Sequence, residues 1–168
     1  MPEQRYRRTS LRYPDYDYSQ PGAVFVTINT HNHQRLFGCI AEGQMRLSPQ
    51  GRCVHEIWER LPERFPDIIL VDCVVMPDHF HGIIVTGTNP DESARHTVGF
   101  VIASFKNQVA AAWRRGVVEE GWPRYQGKLW HRDYYDRIIR NEKELEAIRE
   151  YIRGNPWRLE DRRQWQAR

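Results

Sequence analysis

An α+β fold, one antiparallel sheet covered by helices, is what this sequence predicts. Three observations predict it. Short apolar segments with strand-like patterning are separated by two stretches whose apolar residues recur at helical spacing. The dipeptide Pro77-Asp78 joins two apolar segments directly, which makes them an antiparallel pair. A further helical segment with a capping signal follows the last strand-like run. The chain has 168 residues, 40% of them hydrophobic and 28% charged, enough for one globular domain with a real core.

Each element has its own signal. From Ala23 to Thr30 the residues alternate, with Val24, Val26 and Ile28 on one face, so this is the first strand. Leu36 to Leu47 reads as a small hairpin about Glu42-Gly43. Ser48-Pro49 supplies a capping hydroxyl and then proline at the first helical position. Val54, Ile57, Trp58 and Leu61 continue at helical spacing, and Pro62 and Pro66 are expected to close that helix. Ile68 to Met76 is an apolar strand, turned by Pro77-Asp78 into a second. This pair is apolar on much of both faces, which places it at the centre of a sheet.

Gly87 to His96 reads as a polar loop. Thr97 opens a helix with Val98, Val101, Ile102, Phe105, Val109 and Trp113 in one stripe, expected to end near Gly116. Gly116 to Lys128 is irregular, and Tyr134 to Ile139 is a short edge strand. Asn141 caps the last helix, with Glu144 completing a capping-box pattern. Leu145, Ile148 and Ile152 form its buried stripe, and Gly154 and Pro156 are expected to end it. The order is strand, helix, strand, strand, helix, strand, helix. The first six match a ferredoxin-like (RRM-like) sandwich, with one helix added at the end.

Composition narrows the function classes. No apolar run approaches a membrane span, and Met1 to Arg5 lacks the apolar core of a signal peptide. Cys39, Cys53 and Cys73 are far apart and show no CxxC spacing. That argues against disulfides or a zinc knuckle and fits a reducing cytoplasm. The expected organisation is a single domain over residues 1–168, with residues 1–20 as a basic, aromatic arm. Net charge is +3, carried by 22 arginines and three lysines. Arginine suits bidentate phosphate contact and stacking on bases. In the arm, Arg5, Arg7, Arg8 and Arg12 interleave with Tyr6, Tyr13, Tyr16 and Tyr18. That pattern suits a nucleic-acid backbone with unstacked bases; it also fits a solvated tail.

The chemistry centres on Met76-Pro77-Asp78-His79-Phe80-His81. In a strand, His79 and His81 point to one face and Phe80 to the other. Two imidazoles on one rigid face can hold a divalent metal, with room for a third ligand and a substrate oxygen. Spacing alone equally fits two polar residues on a solvated strand face. On the last helix, Tyr151 and Asn155 are four apart and share a face bordering the apolar stripe, so Tyr151 is expected to be partly buried. A core-edge tyrosine and a C-cap asparagine give the same pattern.

Other candidates are weaker. His31-Asn32-His33 reads as loop. Tyr134 and Tyr135 are rival nucleophiles, but strand alternation makes one core and the other surface. Lys106 flanks the apolar stripe of its helix, so it either snorkels to solvent or reaches a phosphate. Arg95, Arg114 and Arg115 are as easily solvated helix-end charges as DNA contacts. His55, His96 and His131 have no partner visible in sequence.

The run Met76 to Gly82, Tyr134 to Glu142 and Tyr151-Ile152-Arg153-Gly154-Asn155-Pro156 together resemble the single-tyrosine transposases with a His-hydrophobic-His motif, above all the REP-associated tyrosine transposases. Tyr16-Asp17-Tyr18 and the region from Val24 to Phe37 resemble them too, so nearly the whole chain is covered. The resemblance implies a DNA strand-cleaving and rejoining enzyme. By position, His79 and His81 match the family's metal-binding pair and Tyr151 its nucleophile. Asn155 falls where the larger insertion-sequence enzymes have a glutamine that completes the metal site. It is one methylene shorter and stands directly before Pro156.

The implied ion is magnesium or manganese, although histidine ligands alone equally permit zinc. The implied intermediate is a 5′-phosphotyrosine, and the implied partner is single-stranded or hairpin DNA, bound by a monomer or a homodimer. Arg5, Arg7, Arg8, Arg12 and Lys106 are the expected DNA contacts. Two other readings use the same residues. One is a hairpin-DNA-binding module whose catalysis has decayed. The other is a zinc hydrolase of small substrates, which lacks the further His, Asp and Glu signatures usual for such sites.

Overall fold

The computed structural model describes residues 22–166, positions 88, 90, 92 and 94 excepted, with side chains up to Trp157. The basic, aromatic arm, with Arg5, Arg7, Arg8 and Arg12, lies outside the described residues.

Strand β1 (Gly22–Asn29) leads through a single 3-10 turn (His31–His33) into a hairpin, β2 (Gly38–Ala41) and β3 (Gln44–Leu47). Glu42 and Gly43 both take positive φ, the geometry that matches a two-residue turn to strand twist. Helix α1 (Pro49–Glu59) opens as expected, with the Ser48 hydroxyl accepting from the Gly51 N–H. A four-residue helix, α2 (Leu61–Arg64), follows. Pro62 therefore sits in the first turn of α2 rather than closing α1, a position where its missing N–H costs nothing.

Strands β4 (Ile69–Val75) and β5 (His79–Thr86) form the expected hairpin about Pro77-Asp78. Helix α3 (Val98–Glu119) starts at the Thr97 cap and runs a turn beyond Gly116. Gly116 sits inside the helix instead of ending it, and its missing Cβ makes room for the Trp122 ring, from which an added Cβ would lie 2.3 Å. Strand β6 (Tyr135–Ile139) and helix α4 (Glu142–Gln166) complete the chain.

The main sheet is antiparallel, in the order β4-β5-β1-β6. This is the ferredoxin-like arrangement expected from the element order. Only β5 of the central hairpin is an inner strand; β4 is an edge, and Ile69 on it is exposed. Alternation along β1 and β5 divides the molecule. Val24, Val26, Ile28, Phe80 and Ile84 face α1 and α3, where Trp58, Phe105 and Trp113 fill the main core. Each such side chain stabilises the fold by about 1.5–3 kcal/mol on burial. Gly82 lets Trp58 approach the sheet, since a Cβ there would sit 2.4 Å from the indole.

The other sheet face carries a smaller cluster, Ile83, Ile139, Ile148 and Ile152, under α4. This helix does not end at Gly154 and Pro156. It continues to Gln166, because proline forfeits one ladder bond while the helix-forming residues beyond it keep the rest. Among the described residues, no helix is long and apolar enough to cross a membrane.

Candidate metal and tyrosine site

The Pro77-Asp78 turn is held rigidly. Met76 N–H donates to the His79 carbonyl at 2.8 Å, closing the hairpin. Leu36 and Phe37 N–H groups donate to the Pro77 carbonyl at 2.9 and 3.1 Å. The Thr30 N–H and hydroxyl both donate to the Asp78 carbonyl at 2.9 Å. The histidines therefore emerge from a fixed point onto the α4 side of the sheet.

Both rings are oriented through Nδ1. His79 Nδ1 lies 2.6 Å from the Asp78 carboxylate. His81 Nδ1 lies 2.8 Å from the Thr27 hydroxyl, on the residue directly opposite in β1. With Nδ1–H donated in each ring, both Nε2 lone pairs remain for a ligand. The ring centroids are 4.7 Å apart. Burial, then the charge of His79, pushes the His81 pKa down to about 3. That keeps its imidazole neutral, the form that ligates metals. Burial alone would raise the Asp78 carboxyl; the His79 hydrogen bond and the charges of His79 and His33 outweigh it and hold the pKa below the usual range.

Tyr151 comes from α4. Its ring meets His81 edge-on at 5.5 Å and Phe25 at 6.1 Å, while 37% of the residue stays exposed. Phe25 in turn stacks on His81 at 5.2 Å. Asn155, one turn further along, is buried and inside the helix rather than at its C-cap, and its Nδ2 has no hydrogen-bond partner. Asp72 on β4 anchors this helix by taking Arg149 Nε at 3.1 Å and an Arg153 terminal nitrogen at 3.0 Å.

The two Nε2 atoms fit a divalent cation; the unpartnered atom of Asn155 is the Nδ2 donor, so its Oδ1 is the atom that would complete the set. The structure thus brings together His79, His81 and Tyr151, with Asn155 a helical turn away. Thr27, Phe25, Asp72, Arg149 and Arg153 were not singled out from sequence. Their roles depend on the β1–β5 register and on where α4 docks, which no local pattern encodes.

Other expected residues lie elsewhere. Lys106 Nζ donates to the carbonyls of His131 and Arg132 at 2.7 and 3.0 Å, tying α3 to the segment before β6. Burial pushes its pKa down. Tyr134 packs against the main core and Tyr135 is exposed, as alternation predicts. His33 is a loop residue with positive φ, yet its Nδ1 comes within 3.9 Å of Asp78. His96 pairs with buried Asp67 at 2.7 Å.

Comparison with known proteins places this geometry in context. No family model matches the chain. An uncharacterized protein of Haemophilus influenzae is 33% identical, over 90% of this chain and 89% of its own length. A provisionally named REP-associated tyrosine transposase of the same organism is 23% identical, over 83% and 73%. Among solved structures, a REP-associated tyrosine transposase bound to a REP hairpin superposes with a TM-score of 0.62 at 20% identity, over 87% of this chain and 74% of that one. A provisionally named transposase from Deinococcus radiodurans superposes at 0.53 and 17% identity, over 85% and 95%. At those identities the two structures establish a shared fold.

Proposed function

We propose that this chain, which resembles REP-associated tyrosine transposases in sequence and fold, is a metal-dependent single-strand DNA endonuclease and transesterase acting at or near palindromic hairpins. The observation that carries this reading is the ring contact between Tyr151 and His81, on a face where both histidines keep Nε2 for a ligand. The hairpin partner is inferred from the solved neighbour, which is bound to one. Tyr151 reaches the histidine of its own chain, which supports action in cis by a monomer.

His79, His81 and Asn155 would hold the ion, Mg2+ or Mn2+. Bound there, it would supply positive charge that polarises a nonbridging phosphate oxygen and favours phenolate over phenol. Thr27 and Asp78 fix the two imidazoles. Tyr151 Oη loses its proton to solvent and attacks phosphorus. An O–P bond forms to the 5′ phosphate, the P–O3′ bond breaks, and the departing oxygen takes a proton to become a 3′ hydroxyl. The covalent intermediate stores the bond energy, so later attack by a 3′ hydroxyl rejoins DNA without ATP.

The test is covalent trapping on a labelled single-stranded hairpin in magnesium. Wild type is expected to give a denaturation-resistant protein–DNA adduct. Tyr151→Phe is expected to give none while still binding the hairpin. Full attachment by that variant overturns the role of Tyr151. Salt-sensitive binding by wild type, with no adduct in magnesium, manganese or zinc, favours the decayed DNA-binding module instead.

A further inference from the structure

On the sheet face opposite His79 and His81, α1 and the edge strand β4 bring three different metal-ligating groups together. His55 and Glu59 are four apart on α1, so they share a face. Cys73 lies on β4, just past a register shift between Leu70 and Cys73. Such an irregularity at a sheet edge re-aims a side chain. Cys73 pairs with Gly82, whose missing Cβ points at Trp58 of α1, so Cys73 faces the same way.

The distances are close to a coordination shell. His55 Nε2 is 4.0 Å from a Glu59 carboxylate oxygen. Cys73 Sγ is 4.0 Å from the same oxygen. All three ligand atoms lie within 4.8 Å of one another. Tetrahedral zinc with bonds of about 2.0–2.3 Å needs ligand atoms about 3.3–3.8 Å apart, a small side-chain rotation away. His55 and Glu59 are exposed, which leaves a cation an entry path and a fourth position for water.

We propose that His55, Glu59 and Cys73 form a second cation site, for a zinc-class ion, that clamps edge strand β4 to α1. The nitrogen, oxygen and sulfur donor set selects a borderline-soft ion over magnesium. Binding replaces the thiol proton: the S–H bond breaks, a metal–sulfur bond forms, and the proton passes to buffer. Burial first, then the nearby carboxylates, disfavour a free Cys73 thiolate, and the Glu59 carboxylate beside the sulfur attracts a cation.

Cobalt(II), added to the reduced full-length chain, is the probe. The expected result is a thiolate-to-cobalt charge-transfer band that saturates at one equivalent and is displaced by Zn2+. Cys73→Ser is expected to lose the band, and in His55→Ala, at an exposed position, the band is expected no longer to saturate. The double variant His79→Ala/His81→Ala is expected to keep the band, because the histidine face offers no thiolate. Absence of a band in wild type, a full band in Cys73→Ser, or its loss in the His79→Ala/His81→Ala variant each overturns the site.

Discussion

Thr27 faces His81 directly across the β1–β5 pairing, and its hydroxyl lies 2.8 Å from the ring nitrogen Nδ1. With Nδ1 carrying the proton, Thr27 accepts and Nε2 is left as the ligand atom. Thr27→Val keeps the shape but leaves that buried N–H unpaired, at a cost of about 1–3 kcal/mol in denaturant unfolding. It also frees the ring to turn. We expect about 10–100-fold weaker metal dependence of adduct formation, read as the metal concentration giving half-maximal trapping. Thr27→Ser should restore the wild-type midpoint, which distinguishes orientation from general loosening. An unchanged midpoint in Thr27→Val removes Thr27 from the site. The shared face of His79 and His81 was legible, because strand alternation is local. Their Nδ1 partners were not. Thr27 is 54 residues away from His81, and Asp78 is recognised as a partner only once the turn geometry is known.

The capped start of α4 was legible because its signals lie within four residues: Asn141 accepts from the Glu144 N–H, and Glu144 returns to the Arg140 N–H. Its end was not, because proline is a strong local breaker that the following helix-forming residues override. Pro156 still lacks the N–H that would bond the Ile152 carbonyl. Pro156→Ala restores that donor, so we expect about 1 kcal/mol of added stability after loss of the ring's burial, read as a raised Tm. An unchanged or lowered Tm would mean that the buried ring outweighs the missing bond. Helix α4 is also held by Asp72, which takes both Arg149 and Arg153. These pairs are partly solvated, so Asp72→Asn should cost only about 0.5–1 kcal/mol. Adduct yield should fall more than global stability, because the helix carries Tyr151. Equal loss of both would make Asp72 an ordinary surface anchor.

At the scale of the whole molecule, the topology was legible because each strand and helix carries a local period, and the order of periods leaves few ways to fold. Long-range polar ties were invisible, and one of them, at Asp67, yields a prediction for acid stability. Asp67, almost fully buried between α2 and β4, accepts from the His96 N–H at 2.6 Å and meets its ring nitrogen at 2.7 Å. This joins the start of β4 to the approach to α3. Burial alone would raise the Asp67 pKa, but the His96 backbone and ring bonds and the charge on His96 outweigh it, and the pKa is lowered. A carboxyl with a lower pKa folded than unfolded binds protons preferentially when unfolded. Its contribution is therefore complete above the ordinary carboxylate pKa of 3.8 and disappears as pH falls through the folded value. Asp67→Asn keeps the size but not the charge. It should be less stable than wild type near neutral pH by about 1.5–3 kcal/mol, the worth of charged hydrogen bonds. Below pH 3.8 the two stability curves should converge as the wild-type carboxyl protonates. Urea midpoints measured across that range test this, and curves that stay parallel would mean that Asp67 does not drive the acid transition.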